Sequence, residues 1–225
     1  MMRFLVTRLV LRGLASAFRR VCWVGEPPVW PADTPVVLYA NHHHFFDGHL
    51  LWYALHRGLG RSFSVWMEDW DRFPMFAACG AMPFPADDPA RRLATIRRTV
   101  TRMRRRPMSG LAYFPEARLH APEEGIHPFG SEAFSRFDRL FPPCLWVPVA
   151  LHVTWWGESL PTALIHAGEP HAHSTGDEHQ RLERLWSSLR NERPAHTTVL
   201  FDGQKSPDEA WDLRFSRRMF ERYLR

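Results

Sequence analysis

The chain has 225 residues, 45% of them hydrophobic, which suffices for one α/β core and is too little for two full domains. Its formal charge is +5 with a pI near 9.6, carried almost wholly by arginine since Lys205 is the only lysine, so its partners are expected to be anionic: nucleic acid, a membrane surface or a phosphate-bearing molecule such as coenzyme A. Cys22, Cys79 and Cys144 are isolated, odd in number and without metal spacing, so a reduced, cytosolic setting is the simplest reading.

Arginines at 3, 8, 12, 19 and 20 interrupt the N-terminus, leaving neither a run of about 18 apolar residues for a spanning helix nor a secretory signal. At helical spacing, Arg8, Arg12 and Arg19 share one arc of residues 2–20, and Val10, Leu11, Leu14 and Phe18 share the other. The pattern predicts a basic amphipathic helix over 1–20 ahead of one α/β domain over 21–225; the helix either lies on a membrane interface or packs on the domain. After Val21–Val24, the proline-punctuated stretch from Gly25 to Asp33 reads as a surface loop. Pro35 to Ala40 reads as a short, fully apolar strand of a mostly parallel sheet, and a polar histidine-rich segment starts at its carboxyl end, where open α/β sheets place their chemistry.

Asp47 to Leu55 reads as helix, Arg61 to Met67 as a second strand and Gly80 to Pro85 as a turn. A capping aspartate, Asp88, with Pro89 at the first helical position opens a helix whose inner face is expected to carry Leu93, Ile96, Val100 and Met103. Eight arginines between Arg91 and Arg106 cover its other faces, as a solvated surface or an anion site; no nucleic-acid-binding module accompanies them. Strands follow at Gly110–Phe114, Leu145–Leu151, Leu160–Ala167 and Thr197–Phe201, with helices at Glu178–Arg190 and Pro207–Arg225. Pro148 inside its strand implies an edge or a bulge near a site.

The chemistry-bearing stretch is Asn41-His42-His43-His44-Phe45-Phe46-Asp47. An aspartate five residues after a histidine, at a strand-to-helix junction, can accept a hydrogen bond from the imidazole Nδ1–H, fix the tautomer and leave Nε2 as a general base. His43, His44 and His49 read as ordinary structural histidines. A zinc set drawn from His42, His44, Asp47 and His49 is the weaker alternative, since no second ligand cluster accompanies it.

Asn-His followed after four residues by Asp resembles the signature motif of the glycerolipid (lysophospholipid) acyltransferase family, that of bacterial 1-acylglycerol-3-phosphate acyltransferase. Further matches keep its order: Val24-Gly25-Glu26 before the strand, Phe114-Pro115-Glu116 for F-P-E-G, Val147-Pro148-Val149 for V-P-V, and Gly168-Glu169-Pro170 for G-E-P. The resemblance spans about residues 20 to 172. It implies an α/β single domain with a mixed, mostly parallel sheet flanked by helices, and a direct acyl transfer with His42 as base and Asp47 as its orienting partner. The acyl donor it implies is acyl-CoA or acyl carrier protein, with no further cofactor and no metal; the acceptor is a lysophospholipid-type alcohol, lysophosphatidic acid first. Asn41, Phe114, Pro115, Glu116, Arg118 and Pro148 are its expected substrate-side residues. Two departures stand out: Ala117 replaces the family's glycine, with Arg118 one position early, and Ala86 and Asp87 occupy the region of a family arginine. Arg91 or Arg92, at a helix start, supplies that charge, or the acceptor lacks a phosphate. The expected location is cytoplasmic, peripheral on the inner face of the cell membrane. A lipid-binding protein that keeps the fold without the activity is the competing class.

Overall fold

The computed structural model describes residues 2–205 and 214–224. In chain order the elements are α1 (Met2–Ala17), β1 (Arg20–Val24), β2 (Val36–Ala40), α2 (Asp47–Trp52), β3 (Ser62–Met67), β4 (Ala81–Pro83), α3 (Pro89–Arg105), β5 (Ser109–Tyr113), α4 (Glu132–Leu140), β6 (Leu145–Thr154), β7 (Thr162–Ala167), α5 (Glu178–Asn191), β8 (Thr197–Asp202) and α6 (Arg217–Phe220). One eight-stranded sheet runs β4-β3-β5-β2-β6-β7-β1-β8. The five strands from β4 to β6 are mutually parallel; β7 turns antiparallel to β6, and β8 antiparallel to β1. The fold class is the α/β, mixed and mostly parallel one that the apolar runs imply.

β2 is buried along its whole length because helices cover both faces of the sheet and β5 and β6 flank it, which is why its sequence is uniformly apolar rather than alternating. One face packs α1 and α2 through Val6, Val10, Leu14, Leu50 and Leu51, with Leu55 from the wider turn Tyr53–Gly58 that continues α2. The other packs α3, α4 and α5 through Met103, Phe134, Leu182 and Trp186. Burying each such Val or Leu contributes roughly 1.5–3 kcal/mol. The inner face of α1 is therefore continuous with the core of the domain. The helix ends at Ala17, short of residue 20, because Phe18 turns into the core and Arg20 already pairs with β7 and β8. Gly13 lets α1 close on the turn before α2, where a Cβ would sit 3.1 Å from the Phe46 ring.

At five points the structure corrects, decides or adds to the sequence reading. Gly80 to Pro85 contains β4, a three-residue strand parallel to β3; prolines are tolerated there because it is the sheet edge. Pro148 is not on an edge: β6 lies between β2 and β7. The bulge alternative is what forms, since the four residues from Trp146 to Val149 face the five from Ala167 to His171, and the proline sits where the ladder is interrupted. Asp88 caps α3, accepting the Arg91 N–H at 2.8 Å, but the helix is rotated from its apolar reading. Leu93 is 46% exposed, and Thr95 and Thr99 are buried instead. The cause is polar: Thr95 donates to the Pro83 carbonyl at 2.6 Å, and Thr99 accepts the Trp66 indole N–H at 3.0 Å, so the helix meets β4 and β3 through hydroxyls. α4 is a helix that no expectation covered, although Phe134, Phe137 and Phe141 mark its inner stripe. Of the helix expected over 207–225, residues 207–213 and 225 lie outside the described ones, and 214–224 is a chain of single turns.

Candidate active site

The parallel strands β2, β3, β4 and β5 all end at one edge of the sheet, and a cavity of about 540 Å³ opens there, as expected for an open α/β sheet. His42 follows β2 directly. Its Nδ1 faces Asp47 Oδ2 at 3.1 Å, and that oxygen also accepts the His44 N–H at 2.8 Å. Asp47 is therefore fixed by a local turn of five residues; its side chain is 2% exposed against 25% for His42. The His42 ring stacks on Phe114, with centroids 4.4 Å apart, and lines the cavity. Nε2 of His42 has no partner among the described residues.

Glu116 lies behind this ring, not in the cavity wall. Its fully buried carboxylate accepts from the His42 N–H at 2.9 Å, the His127 N–H at 2.6 Å and the His120 Nε2–H at 2.6 Å. The His120 N–H in turn donates to the His42 carbonyl at 3.2 Å. The partners of Glu116 are thus histidines and amides rather than an arginine, and the carboxylate ties the catalytic strand end to the loop after β5. In that loop Ala117 is held at φ 59°, a positive value no other non-glycine residue among those described adopts. This is the position where the resembled motif has glycine, and the backbone keeps the left-handed turn without it.

The remaining expected residues divide. Phe114, Pro115, Ala117, Arg118 and Arg92 line the cavity with His42. Arg118 donates to His127 Nδ1 at 2.9 Å, and Arg92 lies over the Phe84 ring at 4.8 Å. Asn41, Arg91 and Pro148 do not line it. Asn41 is fully buried, its amide bonding both backbone groups of Leu151 at 2.8 and 2.9 Å, which stitches β2 to β6. Arg91 is held bidentately by Asp71 at 2.6 and 2.7 Å. Pro148 lines a separate shallow depression with Gly168 and Arg184.

His49 was read as ordinary, yet it lines the cavity. Burial pushes it down to about 4, so the ring is neutral, and its Nδ1 is buried without a partner. Phe45, Phe46 and Phe76 surround it. Burial likewise lowers His43 and His44. His49 recurs seven residues after His42 on the following helix, the one sequence signal that could have drawn it in.

The zinc alternative does not assemble, because Asp47 is committed to His42 and His44 while His49 faces phenylalanines. Two other groups bring three ligand atoms close: His43, Glu116 and His120; and His120, Glu124 and His127. Their hydrogen bonds oppose a metal. The Asn41 amide donates to His43 Nδ1 at 3.0 Å, leaving Nε2–H to donate to the Gly125 carbonyl. Arg118 donates to His127 Nδ1, so Nε2–H donates to Glu124 at 2.9 Å. As bonded, neither ring keeps a lone pair for an ion.

No protein-family model and no curated protein sequence matches the chain. Among solved structures, the chain is similar to the 1-acyl-sn-glycerophosphate (LPA) acyltransferase PlsC from Thermotoga maritima, with 13% identity, a TM-score of 0.51, and coverage of 84% of this chain and 78% of that one. The chain has the fold of that acyltransferase.

Proposed function

We propose that this protein is an acyltransferase that moves a fatty acyl group from a thioester, acyl-CoA or acyl carrier protein, to a hydroxyl of a lysophospholipid-type acceptor. The observation that carries the reading is the His42–Asp47 pair, 3.1 Å apart, with its free Nε2 at a largely apolar cavity. A volume near 540 Å³ falls inside the roughly 300–1,000 Å³ range of pockets that bury small ligands. His42 Nε2 takes the acceptor hydroxyl proton as the oxygen attacks the thioester carbonyl, and Asp47 stabilises the imidazolium. The collapsing intermediate expels the thiolate, which recovers that proton, so ester and free thiol form with no covalent enzyme intermediate. The amides of His44 and Phe46, ahead of α2, and of Asp47 at its start are already used; those of Gly48 and His49, two residues that line the cavity, remain for the developing oxyanion. Phe114, Pro115, Arg92 and Arg118 contact substrate in this reading, and Glu116 acts through the backbone of His42 as a positioning residue.

Among the described residues no helix is long and apolar enough to cross a membrane. α1 turns Phe4, Leu5 and Leu9 outward beside Arg8 and Arg12, which supports peripheral docking on an anionic bilayer, the inner face of the cell membrane in this reading. Lysophosphatidic acid is the reference acceptor. The test is incubation with acyl thioesters, with thiol release followed by a colour reagent and products by mass. Acceptor-dependent thiol release supports transfer; binding of lipid with no thiol release favours the lipid-binding class.

A further inference from the structure

The turn after β3 delivers two carboxylates, Glu68 and Asp69, to the same sheet edge and the same cavity as His42. Three acidic residues occupy this turn, and they differ in their partners. Asp71 is neutralised by Arg91. Glu68 and Asp69, both exposed at the cavity rim, have no hydrogen bond or ion pair among the described residues. In a chain of formal charge +5, adjacent unpaired carboxylates at a ligand cavity repel each other and attract a cation. The cavity's cationic groups are Arg92 and Arg118, so its polar end carries both signs.

We infer that the acceptor bears an ammonium group, held by Glu68 and Asp69, together with an anionic group held by Arg92 and Arg118: a zwitterionic lysolipid headgroup rather than a bare phosphate monoester. The inference rests on the acyl-transfer reading and narrows its acceptor. A dianionic phosphate meets both carboxylates as like charges, whereas an ethanolamine phosphate pairs with both signs.

The experiment compares lysophosphatidylethanolamine, lysophosphatidic acid and monoacylglycerol of one chain length, with one acyl-CoA, in the native protein and in the variant E68Q/D69N. Rates are taken relative to monoacylglycerol within each protein, so that a loss of folded enzyme cancels. The expected result is a kcat/KM at least about fivefold higher for the ethanolamine acceptor than for lysophosphatidic acid, falling to near parity in the double variant. Thiol release with lysophosphatidic acid preferred, or a ratio unmoved by E68Q/D69N, overturns the ammonium assignment alone. No thiol release with any of the three acceptors overturns the acyl-transfer reading and this inference with it.

Discussion

Two loops meet at His42, and they are built in opposite ways. The loop after β2 is closed by contacts within six residues, Asp47 binding His42 and His44, while Asn41 ahead of it anchors to Leu151 of the neighbouring strand. The loop after β5 is closed by residues up to 11 positions apart, His127 returning its amide to Glu116, with a left-handed alanine at its start. The first loop has little freedom and holds the proposed base; the second is stapled by one buried carboxylate and sets the wall around it. Chemistry should therefore be sensitive to the first loop, and stability to the second.

The largest effect should follow substitution in the first loop. His42→Ala is expected to lower kcat by about 10⁴-fold, the scale set by removal of a general base from a preorganised site. Asp47→Asn should lower kcat as well, by less than His42→Ala, because Nε2 remains but its tautomer is no longer fixed. Steady-state thiol release measures both, with circular dichroism showing that the fold persists. Full activity of purified H42A would sink the proposed base.

Glu116→Gln tests the second loop. The carboxylate is fully buried with three donors, and an amide there turns its own N–H₂ toward at least one of them. A loss of about 2–4 kcal/mol in unfolding free energy is expected, read from urea midpoints. If the midpoint is unchanged, the loop is held by something else and the contrast between the loops fails.

How much of this was readable follows the same division. The His42–Asp47 pair was legible because five residues across a strand-to-helix junction leave few geometries, and β2 because a strand covered on both faces must be apolar throughout. α3 was legible at its cap, where Asp88 binds a backbone amide three residues on. Its rotation was not, since it depends on the Pro83 carbonyl and the Trp66 indole, which propensity does not reveal. Arg91 looked free because Asp71 is 20 residues upstream. Glu116 read as a substrate-side residue because the chain's return through His120 and His127, which buries it behind His42, is a tertiary event. Pro148 left edge and bulge open, because only strand order, set by long-range pairing, shows that its strand is central.

A smaller effect concerns pH. Burial holds His49 at about 4, below its unfolded value near 6.5. As pH falls through that window the unfolded chain takes up the proton first, so the stability present above pH 6.5 is progressively lost toward pH 4, by up to about 3 kcal/mol. His43, His44, His152 and His166 are lowered too and act in the same direction. His49→Gln should flatten the dependence without abolishing it, as read from urea midpoints at pH 4.5 and 7.5. Parallel curves for variant and native protein would show that His49 is not the buried neutral group described.

The smallest expected effect returns to the start of the second loop. Ala117 sits at φ 59°, where its Cβ crowds the following carbonyl at a cost of roughly 1–2 kcal/mol. Glycine removes that crowding but adds conformational entropy to the unfolded chain, about 0.4–1 kcal/mol in the other direction. Ala117→Gly should therefore stabilise the protein by about 0.5–1 kcal/mol, raising Tm by a few degrees in a calorimetric scan. The sign decides the matter. A lower Tm means the positive φ is not imposed by the Glu116 staple, and the turn then relaxes once glycine gives it freedom.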